Sequence, residues 1–63
     1  MCEVYYAYDK KKVATFPTRE AAESWIANEA IKSNYGICRT WTMNGWDYFD
    51  VGPTVYIIKH DAR

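Results

Sequence analysis

The chain has few of the devices that stabilise or equip small domains. Its two cysteines, Cys2 and Cys38, are too few for a secreted disulfide scaffold. Together with His60 they do not have zinc-ligand spacing. There is no glycine-rich phosphate loop, no HExxH and no EF-hand loop. The apolar runs are only a few residues long, which excludes a membrane-spanning helix. Residues 1–15 hold Glu3, Asp9 and a lysine run and lack the apolar segment of a signal peptide. An excess of one charge is missing too, with Lys+Arg 8 and Asp+Glu 8. A dedicated nucleic-acid binder is usually basic, because phosphate neutralisation supplies much of its affinity. These absences point to a cytoplasmic setting, with no cofactor, no metal and no membrane partner.

What the chain does have is aromatic bulk. The 63 residues are expected to form a single domain over 1–63. A domain of this size buries only about 60% of its unfolded surface. Phe, Trp and Tyr make up 17% of the chain, and each ring can bury roughly 150–250 Å². Aromatic burial has to compensate for the missing staples, and dimerisation is a second way to complete so small a core.

The sharpest local signal is Met43-Asn44-Gly45-Trp46. Asn-Gly suits a type I′ turn, in which both central residues need positive φ. A two-residue turn fixes the register, so Met43 faces Trp46, Thr42 faces Asp47, Trp41 faces Tyr48, Thr40 faces Phe49, Arg39 faces Asp50 and Cys38 faces Val51. Ile37, Arg39, Trp41, Met43, Trp46, Tyr48 and Asp50 then share one face. Cys38, Thr40, Thr42, Asp47, Phe49 and Val51 share the other.

Residues 3–8 and 12–16 read as an earlier hairpin of aromatic and β-branched strands. A symmetric closure over the polar turn puts Tyr8 opposite Val13, Ala7 opposite Ala14, Tyr6 opposite Thr15 and Tyr5 opposite Phe16. Pro17-Thr18 ends the second strand, and Thr18 is a good N-cap for a helix over 19–33. In that helix Ala22, Ile26 and Ala30 form one stripe, flanked by Trp25 on one side and by Ala27 and Ile31 on the other. Trp25 and Ile31 are too far apart around the helix for both to be buried in it. Asn34 or Gly36 can take the left-handed position that stops the helix. Residues 54–60 form the last strand, Val55 and Ile57 on one face and Tyr56 and Ile58 on the other, and 61–63 form a tail.

The order ββαβββ implies an α+β fold, a small two-layer domain with one helix packed on a mainly antiparallel sheet. The helix is expected over Ala7, Ala14, Phe16, Cys38, Thr40, Phe49 and Val51. The open face then collects Tyr6, Tyr8, Val13, Trp41, Met43, Trp46 and Tyr48, an apolar patch of the kind that marks interaction sites.

The polar constellations are weaker signals. Arg39 and Asp50 are placed to form a cross-strand ion pair. Lys10-Lys11-Lys12 reads as a solvated hairpin tip. His60 and Asp61 are adjacent in a strand and so point to opposite faces, which argues against a catalytic pair. With no nucleophile motif either, the chain reads as non-enzymatic. The leading expectation is a protein-interaction module that uses Trp41, Met43, Trp46 and Tyr48, with Arg39 as the polar contact and Tyr6 and Tyr8 beside them. Small proteins of phage and mobile elements that inhibit or redirect a larger host protein have this format, although no residue here specifies that origin. The alternatives are a single-stranded nucleic-acid binder that stacks bases on the same rings, and a homodimer that buries them.

Overall fold

The computed structural model describes residues 1–60. Its elements run β1 (Cys2–Tyr6), β2 (Lys12–Phe16), α1 (Arg19–Lys32), β3 (Arg39–Met43), β4 (Trp46–Asp50) and β5 (Val55–Lys59). The strands form a five-stranded sheet in the order β2-β1-β5-β4-β3, and every neighbouring pair is antiparallel. Helix α1 leaves one edge strand and leads to the other, so it crosses one face of the sheet. The result is the small two-layer α+β domain that the order ββαβββ implies. No helix among the described residues is long and apolar enough to cross a membrane.

The helix forms where its local chemistry says it should. The Thr18 hydroxyl accepts from the Ala21 amide at 3.1 Å, capping the first turn. At the other end Asn34 and Gly36 both take positive φ, 63° and 67°, and the Tyr35 and Gly36 amides fold back to the Ala30 carbonyl. Ala22, Ile26 and Ala30 are buried against the sheet. Of the two flanking residues, Trp25 packs against Phe16 and Tyr56 with ring centroids 5.7 and 5.4 Å away. Ile31 is left 68% exposed.

The second hairpin follows the sequence closely. Asn44 and Gly45 take φ of 54° and 82°, and the register runs from Met43↔Trp46 to Arg39↔Asp50 as expected. The ladder stops there. Ile37 and Cys38 lie outside β3, although the Cys38 amide still donates to the Asp50 carbonyl at 2.8 Å. Phe49 and Val51 are buried on the helix side, whereas Cys38 and Thr40 are exposed.

The first hairpin differs from expectation. Val4 pairs with Ala14 and Cys2 with Phe16, with a register shift between Val4 and Tyr5. The chain turns early because Asp9 Oδ1 accepts from the Lys11 amide at 3.0 Å and Lys10 adopts a left-handed φ of 58°. Tyr8 is therefore in the turn, 89% exposed, and not in a strand. The displacement is an odd number of residues and so inverts β1. Val4 and Tyr6 point toward the helix, and Tyr5 points away from it. Tyr6 stacks on Tyr56 at 5.8 Å, within the helix-side cluster of Val4, Ile26, Phe49, Tyr56 and Ile58. Cys2 begins β1.

The loop after α1 is tied to the turn between β4 and β5. Gly52 has φ of 92°, and a Cβ placed there would come within 2.5 Å of the Tyr35 ring. Gly52→Ala is expected to cost on the order of 2 kcal/mol, lowering the melting temperature by roughly 8 °C or more. Gly45→Ala meets open space and should cost about half as much. Equal losses in the two melts would mean that the Tyr35 ring does not rest on Gly52.

Candidate functional site

The face opposite the helix is built from alternate residues of all five strands. Its middle row, read across the sheet, is Lys12, Tyr5, Ile57, Tyr48 and Trp41. Lys59, Trp46 and Met43 lie on one side of that row, and Val55, Asp50 and Arg39 on the other. Ile57 is at the centre with 0% exposure, although it lies on the face away from the helix. Its cover comes from neighbouring rings. Tyr5 and Tyr48 are its partners in register, and Trp46 meets Tyr5 edge to face at 5.5 Å and 82°. The rings therefore form a thin second core as well as an outer surface.

The outermost pair is Trp41 and Tyr48, stacked at 5.1 Å and 8°. Arg39 covers Trp41 with its guanidinium 4.9 Å from the ring. Lys10 and Lys59 lie 5.4 and 5.7 Å from the Trp46 ring. Such cation–π contacts contribute about 0.5–1 kcal/mol each at exposed sites. The ion pair expected between Arg39 and Asp50 does not form. The two residues are opposed in register, but Asp50 accepts from the Gly52 amide at 3.0 Å and so caps its own turn. The lysine run is more than a solvated tip, since Lys12 pairs with Glu3 at 3.1 Å. Glu3 also accepts from the Tyr5 hydroxyl at 2.8 Å. The bonds from Tyr5 and Lys12 hold the Glu3 carboxyl below its usual range, and the bond to Glu3 raises the Tyr5 phenol.

Of the residues assigned to the patch from sequence, Trp41, Met43, Trp46, Tyr48 and Arg39 share this face. Tyr6 does not, because β1 is inverted. With Tyr8 it borders a groove shared with Trp41 and Tyr48 at the Val55 end of the sheet. Val13 packs toward the helix-side cluster. Tyr5, Lys10 and Lys59 are the additions. For Tyr5 the available signal was the Asp9-Lys10 turn chemistry, which sets the register of β1.

A polar cluster on the helix side goes beyond the Thr42–Asp47 pair that the hairpin register predicts. Asp47 is 8% exposed. Its carboxylate accepts from the Thr42 hydroxyl, from Arg19 Nη2 at 2.7 Å and from His60 Nδ1 at 3.0 Å. Arg19 is also held by Glu23 at 2.8 Å. Asp61, next to His60 in sequence, lies outside the described residues; the partner His60 has here is Asp47, thirteen positions away. The cluster joins the first turn of α1 to β3, β4 and the end of β5. Burial raises the Asp47 carboxyl, but the bonds from Thr42, Arg19 and His60 outweigh it and hold the carboxyl below the ordinary range. The Cys2 thiol at the same end of the sheet is pushed up by burial, which disfavours the reactive thiolate.

A carboxyl depressed in the folded state stabilises the fold above its unfolded pKa, about 3.9, and that stabilisation is lost as pH falls through the folded value. Stability should therefore decline as pH falls below about 4. Asp47→Asn should remove part of that acid dependence and cost roughly 1–3 kcal/mol at neutral pH. Urea unfolding of both proteins across this range checks it, and parallel pH profiles would contradict it. Comparison with known proteins finds no matching family model, no similar curated protein and no similar solved structure.

Proposed function

We propose that this chain is a non-enzymatic protein-interaction module that docks the face opposite the helix onto a larger protein. The observation that carries the reading is the two-sided use of the ring plate. Trp41, Trp46 and Tyr48 are all half-buried: Trp46 and Tyr48 lean an inner edge over Ile57, Trp41 stacks on Tyr48, and their outer edges meet solvent. Met43 stands beside them, 48% exposed. Aromatic residues, methionine and arginine are the side chains most enriched at interface centres. Their own packing holds these rings in place, so little side-chain entropy remains to be lost on binding.

The role that suits such a surface is inhibition or redirection of the partner by occlusion. A small neutral domain with a preformed aromatic face can block a site or bridge two surfaces without any chemistry of its own. Trp41 is the anchor that can be removed most safely, because it lies on the edge strand and is not a neighbour of Ile57 in register. In a pull-down, Trp41→Ala should weaken partner capture by roughly tenfold or more, about 1.4 kcal/mol, with unchanged far-UV circular dichroism. Met43→Ala should weaken it less. Undiminished capture by both folded variants would remove this face as the docking site.

A further inference from the structure

We infer that the partner surface is acidic, a protein segment whose carboxylates meet Lys10, Arg39 and Lys59 around the ring plate. This rests on the docking reading above and adds the chemistry of the occupant. The zero net charge of the chain conceals a segregation. The open face carries Lys10, Lys12, Arg39 and Lys59 against Glu3 and Asp50. The helix carries Glu20, Glu23 and Glu29 against Arg19 and Lys32.

Both carboxylates of the open face are already engaged, Glu3 by Lys12 and Tyr5 and Asp50 by the Gly52 amide. Lys10, Arg39 and Lys59 are poised over rings and have no carboxylate partner among the described residues. Carboxylates along an incoming segment would meet three cations already desolvated on one side by indole. No ion pair among the described residues has to break first. Complementarity of this kind speeds encounter and excludes wrong partners.

The same geometry disfavours the other polyanion, a single-stranded nucleic acid. Base stacking needs an open ring face. Trp41 has Tyr48 stacked at 5.1 Å and Arg39 at 4.9 Å, and Trp46 has two lysines over its ring. The plate presents ring edges to solvent, which suits side-chain packing better than base stacking.

The test uses the full chain at low salt with two probes, a fluorescein-labelled oligoglutamate peptide and an oligothymidylate of equal charge, read by anisotropy and by tryptophan fluorescence. Oligoglutamate is expected to bind and to perturb tryptophan emission. Its affinity should fall with added salt, and by about tenfold in the folded triple variant Lys10→Gln, Arg39→Gln, Lys59→Gln. Failure to bind oligoglutamate, indifference to the triple variant, or tighter binding of oligothymidylate would each overturn the inference. Sedimentation showing a dimer that the triple variant dissociates would also overturn it, since the acids would then be those of a second copy. A partner lost with Trp41→Ala but indifferent to the glutamine variants would overturn the acidic chemistry alone and leave docking through the rings intact.

Discussion

Everything in this fold is arranged around the need to bury both faces of β5. It is the central strand, and Tyr56, Ile57 and Ile58 are consecutive buried residues in it. Consecutive strand residues point to opposite faces, so one helix cannot cover them all. Helix α1 covers Tyr56 and Ile58. Ile57 faces the other way, and no second helix exists among the described residues to cover it. The cover has to come from the strands themselves, through side chains long enough to lean over a neighbour. Tyr5, Trp46 and Tyr48 meet that need, and burying an isoleucine contributes roughly 1.5–3 kcal/mol, a large part of the stability of so short a chain.

This solution leaves its mark on the surface. A side chain that leans over Ile57 has one edge in the core and the other in water. The patch therefore serves the fold first, and it becomes available for recognition because a single layer of rings cannot hide itself. The cations follow from the same geometry, because Lys10, Arg39 and Lys59 lie where their charged ends reach over half-buried indole. The Asp47 cluster plays a separate part. It fixes the first turn of α1 to the strand ends and places no net demand on the open face.

How far the sequence revealed this depended on how local each signal is. The Asn44-Gly45 turn dictates its own φ values and hence the register of a whole hairpin, so Trp41, Met43, Trp46 and Tyr48 could be placed on one face from sequence. The Ala22, Ile26 and Ala30 stripe and the Thr18 cap were equally legible. The first hairpin was not, because Tyr-Ala-Tyr-Asp-Lys-Lys-Lys allows several turn positions, and Val4 and Tyr5 both suit a core. An Asx turn at Asp9 decided the register and exchanged Tyr6 for Tyr5 on the open face. The Asp47, Arg19 and His60 contacts could not be read at all. They join residues from three elements whose proximity exists only once the sheet order is known. The ion pair expected from the Arg39↔Asp50 register failed for a related reason, since Gly52 offers Asp50 a nearer backbone donor.

The measurement closest to the centre of this account is methyl NMR of Ile57 in the free protein. Rings packed over that side chain should shift its methyl resonances well upfield and give cross-relaxation to Tyr5, Trp46 and Tyr48, with no partner present. Methyl shifts ordinary for an exposed isoleucine, with no contact to those rings, would contradict the account. The open face would then lack a core of its own, and its rings could not be a preformed surface.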